Sequence, residues 1–108
     1  MTKLEALTEL LGKVVAGEQV GLVAGYCEAL PQELRSDAML AYDGSLDAAK
    51  ALHDAVLPGW EFGYDGTIAW VKLPGLRTSY RKDDRNGFTS RAWLIAILKA
   101  LIAMEKEA

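Results

Sequence analysis

From Ala92 to Met104 the chain is apolar at every position but one, with Trp93, Leu94, Ile95, Ile97, Leu98, Leu101, Ile102 and Met104 broken only by Lys99 and alanines. Read as a helix, which Thr89 or Ser90 would cap and which runs to about Glu105, this segment shows apolar side chains on nearly all sides. Such a helix is normally buried on most of its surface. The chain has 108 residues, and a chain of this length buries roughly 60–68% of its unfolded surface, enough for one modest core. The helix therefore needs cover on most of its sides. Two arrangements satisfy it: the helix lies across a sheet beneath other helices, or it packs against a second copy, so a homodimer is compatible with the sequence. A membrane span is excluded, because Lys99 closes a run far short of the ~20 residues that one requires.

The preceding residues supply covering elements. Leu4, Leu7, Leu11 and Val14 recur at helical spacing over residues 3–16, with Gly17 as a stop. Residues 19–29 read as a weaker helix with Val20, Val23, Ala24 and Cys27 on one face, ended by Pro31. Residues 32–43 are ambiguous, with a short helix through Glu33, Leu34, Ala38, Met39 and Leu40 as one reading and Tyr42-Asp43-Gly44 as a turn. Ser45 is an N-cap, and Asp47 suits the positive end of the helix dipole. That helix carries Ala48, Ala49, Leu52, Ala55 and Val56 as its stripe and stops at Pro58-Gly59.

Trp60–Tyr64 and Thr67–Leu73 alternate as strands around Asp65-Gly66, the dipeptide preferred in two-residue hairpin turns because both central positions take φ > 0. That register sets Tyr64 opposite Thr67, Phe62 opposite Ala69 and Trp60 opposite Val71. The other face holds Glu61, Gly63, Ile68, Trp70 and Lys72. A third strand is expected at Leu76–Tyr80, since two strands alone are marginal in water. The expected fold is α+β: a small three-stranded antiparallel meander (sheet) packed with helices on one or both faces. One domain spans 1–108, with a helical N-terminal part (1–44) and a helix-hairpin-strand-helix core (45–105).

Charge is unevenly distributed. The net value is −3, with residues 1–65 at −7 and residues 66–108 at +4. An acidic whole disfavours general nucleic-acid binding. A single cysteine cannot form an internal disulfide, and Met1–Glu5 has no apolar signal core. Both suit a cytoplasmic protein.

Candidate functional residues are few. Cys27 and His53 make a nucleophile–base pair only if the fold joins them; singly they read as a small buried residue and a helix-surface histidine. No ligand spacing indicates a metal, and Asp83-Asp84 is flanked by Lys82 and Arg85. No glycine-rich phosphate loop is present, and no cofactor is expected. The basic stretch is the most informative: Arg77, Arg81, Lys82, Arg85 and Arg91 gather around Tyr80 and Phe88, a mixture suited to phosphate contact and base stacking. Asp83 and Asp84 reduce its charge to +3. Trp60 and Trp93 suit the core, whereas Trp70 shares its face with Glu61 and Lys72 and is expected to be partly exposed. The candidate binding set is thus Trp70, Arg77, Tyr80, Arg81, Lys82, Arg85 and Arg91.

Three stretches occur in a telling order: Ser45-Leu46-Asp47-Ala48-Ala49-Lys50-Ala51-Leu52, then Leu57-Pro58-Gly59-Trp60, then Arg91 through Ala103. Over residues 45–105 this order resembles the phage ABA sandwich domain family, small phage and prophage proteins of unknown function. The resemblance implies layers of helix, sheet and helix and a phage or prophage origin, and it implies no catalytic residues. The expected function is that of a small accessory protein that is not an enzyme and binds a host or phage protein. The alternative is a nucleic-acid accessory protein using the basic loop 77–91.

Overall fold

The computed structural model describes residues 2–17, 29–83 and 87–107. Among the described residues, four helices and three strands make an α+β fold with an antiparallel meander in the order β1-β2-β3. Helix α1 (Lys3–Val15) begins at a capping box, with the Glu5 N–H donating to Thr2 Oγ1 and the Thr2 N–H to Glu5 Oε1. The helix expected over 19–29 falls, apart from Ala29, outside the described residues. The ambiguous segment is helical as α2 (Gln32–Tyr42), opened by Pro31 and closed at Asp43-Gly44. Helix α3 (Leu46–Val56) starts as its sequence indicates, the Ser45 hydroxyl accepting the Ala48 N–H at 3.0 Å.

Strands β1 (Glu61–Tyr64) and β2 (Ile68–Leu73) form the expected hairpin in a different register. Tyr64 pairs with Ala69 and Phe62 with Val71. The Asp65 carboxylate causes this shift. It accepts the N–H groups of Thr67 at 2.6 Å and Ile68 at 2.9 Å, while the Asp65 N–H donates to the Ile68 carbonyl. Gly66 and Thr67 then occupy the centre of the turn, and Gly66 does not take the positive φ that an Asp-Gly centre would use. Each partner moves by two residues, an even number, so every side chain keeps its face. Strand β3 (Leu76–Arg81) follows through Pro74-Gly75, where Gly75 has φ +87°.

The last helix, α4 (Thr89–Glu107), is the centre of the molecule. Strands β2 and β3 pack on it, and α1, α2 and α3 each pack on it from other directions. Ser90, Ala92–Leu98 and Ala100–Ile102 are all buried. The layering is sheet, α4, then the outer helices, so the apolar girth of α4 is covered within one chain and makes no demand on a second copy. The hydroxyls expected to cap it reach elsewhere: Thr89 Oγ1 accepts from Lys82 Nζ at 3.2 Å and buried Ser90 Oγ donates to the Ala41 carbonyl at 2.6 Å. The Thr78 hydroxyl donates to the Ala96 carbonyl and Lys99 Nζ to the Ser79 carbonyl, which ties β3 to α4.

Candidate binding surface

The meander turns one face to α4 and the other away from it. Alternation along the strands puts Phe62, Tyr64, Ala69, Val71, Thr78 and Tyr80 on the α4 side. The opposite face consists of three cross-strand rows. Glu61, Lys72 and Arg77 form one, Gly63, Trp70 and Ser79 the middle one, and Ile68 and Arg81 the third. Glu61, Lys72, Arg77 and Arg81 are exposed, whereas Ile68, Trp70 and Ser79 are half-buried.

Trp70 dominates this face, and Gly63 explains its position. A Cβ at Gly63 would overlap the Trp70 ring at Cζ2, Cε2 and Nε1, so the indole lies over the bare glycine backbone of the neighbouring strand. The Arg77 guanidinium sits 5.5 Å from the ring centroid. Among the described residues neither Lys72 nor Arg81 takes part in an ion pair. The face is thus a half-covered tryptophan ringed by three cations, with Glu61 as its carboxylate.

The remaining sequence-indicated site residues do not share this surface. Tyr80 points to the α4 side, donates its hydroxyl to Asp83 Oδ2 at 2.6 Å and lies 5.3 Å from Lys99 Nζ. Lys82 bonds to Thr89 as above. Arg91 closes the far end of the core: its Nε donates to the Tyr42 carbonyl at 2.8 Å, and its guanidinium stacks 3.8 Å from the Tyr42 ring centroid. Arg85 lies outside the described residues. The basic stretch is therefore divided, with Arg77 and Arg81 on the open face and Tyr80, Lys82 and Arg91 engaged in internal contacts. Lys72 and Gly63 belong to the site although the sequence reading did not select them. Period-two alternation, which sets both beside Trp70, carries the signal.

His53 is a correction: expected on a helix surface, it is 1% exposed. Its Nε2 lies 3.1 Å from the Trp60 carbonyl and its Nδ1 accepts from Trp93 Nε1 at 3.3 Å. Phe62 packs on the same pair, 5.0 Å from His53 and 4.7 Å from Trp93 between ring centroids. Both imidazole nitrogens are thereby committed to the core and neither is free to move a substrate proton. Cys27 lies outside the described residues. No buried side-chain N or O among the described residues lacks a partner, and no three metal-ligating side chains converge there. Asp65 titrates below the usual carboxylate range because the N–H groups of Ile68 and then Thr67 bind its charged form. A shallow groove of about 430 Å³ between the β2–β3 turn and the end of α4 is lined by Trp60, Leu73, Pro74, Leu76, Met104 and Glu107. It holds no converging set of polar groups. No described helix is long and apolar enough to cross a membrane.

Comparisons with protein-family models, curated proteins and solved structures find no match to this chain.

Proposed function

We propose that this chain is a protein-binding module that catalyses no reaction, and that its contact surface is the sheet face turned away from α4. The observation carrying this reading is Trp70, held over Gly63 with Arg77 against its ring and with Lys72 and Arg81 beside it, neither in an ion pair among the described residues. A large amphipathic ring in a field of cations is the composition of an interface anchor, where tryptophan and arginine carry most of the binding energy. The engagement of both His53 nitrogens supports a role outside catalysis. The resemblance of residues 45–105 to small phage and prophage proteins supports a host or phage protein in the bacterial cytoplasm as the partner. The nucleic-acid alternative draws less support, because Tyr80, Lys82 and Arg91 are engaged by Asp83, Thr89 and Tyr42 of the same chain.

The test is capture from bacterial lysate, untreated and nuclease-treated, with the tagged chain and with its Trp70→Ala and Arg81→Glu variants. A protein retained by the parent and lost with both variants is the expected result. Equal retention by all three chains overturns the assignment of the surface, and a catch that vanishes on nuclease treatment overturns the assignment to protein.

A further inference from the structure

We infer that the open sheet face takes an extended, acidic segment of a partner protein, in which two carboxylates flank one apolar or aromatic side chain at alternate positions. This rests on the reading of that face as the binding surface and adds the chemistry of its occupant.

Register and charge carry the argument. Arg77, Ser79 and Arg81 project from one face of β3, so the two arginines stand about 13 Å apart along the strand, four residues at about 3.3 Å each. The middle row between them is Ser79 and Trp70, with Ile68 half-buried in the row beyond. An extended segment has the same rise. Carboxylates four residues apart reach Arg77 and Arg81 together, and the side chain midway between them comes down over the Trp70–Ser79 row. Arginine suits this duty because its planar fork binds a carboxylate bidentately, and a guanidinium resting over an indole keeps its in-plane N–H donors for that purpose. Lys72, paired in register with Arg77, adds a second cation at the same end.

The same face argues against a continuous polyanion. Glu61 lies in the row of Lys72 and Arg77, where it would oppose an unbroken file of phosphates. The net charge of −3 repels a nucleic acid at long range as well. Two separated carboxylates carry less charge than a file of phosphates and meet both penalties in smaller measure.

The experiment is a fluorescence titration of the full chain with a short labelled peptide containing Glu-Thr-Phe-Thr-Glu, its isomer Glu-Glu-Phe-Thr-Thr, and oligothymidylate. The expected result is binding of the spaced peptide that weakens with salt, with the isomer weaker by about tenfold, the loss of roughly one charge-assisted hydrogen-bonded pair. Arg81→Glu and Trp70→Ala should each lower affinity by at least about tenfold on the same basis. Arg81 is exposed and remote from the core, so its variant tests the site even where Trp70→Ala perturbs the fold. Equal affinity for both peptides overturns the spacing. Preference for oligothymidylate overturns the occupant. Failure of every probe, while lysate capture still depends on Trp70 and Arg81, overturns this inference and leaves the binding surface standing; failure of both experiments removes both.

Discussion

The indole N–H of Trp93 donates to Nδ1 of His53 across 3.3 Å, joining two residues forty positions apart in the chain. An indole is a donor only, so that nitrogen of His53 carries no proton and Nε2–H must donate to the Trp60 carbonyl. The chain of bonds connects α4, α3 and the start of the sheet, and it defines one imidazole tautomer. Replacement by alanine strands the indole N–H and the carbonyl in a dry core and opens a cavity. His53→Ala should cost about 3 kcal/mol, measured by urea unfolding. Imidazole nitrogen shifts in the parent should report the Nε2-protonated form; a proton on Nδ1 would contradict the geometry.

Asp65 couples the hairpin to pH. Its carboxylate binds the Thr67 and Ile68 N–H groups in the folded state, which lowers its pKa, with Ile68 contributing most. A group whose folded pKa is depressed adds stability above its unfolded pKa, and that stability disappears as pH falls through the folded value. The amide shifts of Thr67 and Ile68 should therefore titrate together at a midpoint below the usual carboxylate range. A midpoint at or above that range would show that the bonds do not form in solution.

Gly63 is the seat of Trp70. A methyl group there collides with the indole, which must swing off the strand. Gly63→Ala should lower stability by about 1–2 kcal/mol and shift tryptophan emission to the red as the ring gains water contact. Unchanged emission would mean that the ring does not rest on residue 63.

Arg91 and Arg81 belong to one basic stretch and should respond oppositely to truncation. Arg91 hydrogen-bonds the Tyr42 carbonyl and stacks on its ring, so Arg91→Ala should destabilise by about 1–2 kcal/mol. Arg81 is exposed on the open face, and Arg81→Ala should stay within about 0.5 kcal/mol of the parent. Thermal unfolding of the two variants decides the matter, and equal losses would refute the division of the stretch.

Local chemistry was legible at most points where a residue acts on its own neighbours, the Asp65 turn and the start of α4 excepted. The Ser45 cap, the stop at Pro58-Gly59, the three strands and the face on which each side chain lies follow from short-range sterics, hydrogen bonding and a period of two. The faces survived even the mistaken hairpin register, because a displacement of two residues preserves them. The candidate site was legible in part: Trp70 and Arg77 stand on the open face as their alternation indicates, whereas Arg81, expected beyond the strand, extends β3 and joins that face. Tertiary structure decided what depends on partners distant in sequence. The all-apolar helix demanded cover, but only the packing of three helices and a sheet around it supplied that cover within one chain. His53 shares the stripe of Ala49 and Leu52 by helical spacing, but a polar ring stays inside only with partners, and Trp93, far along the chain, supplies one of them. Arg81 and Arg91 are the same residue type in the same stretch, and only the approach of Tyr42 to Arg91 ties that side chain to the fold and leaves the other to solvent.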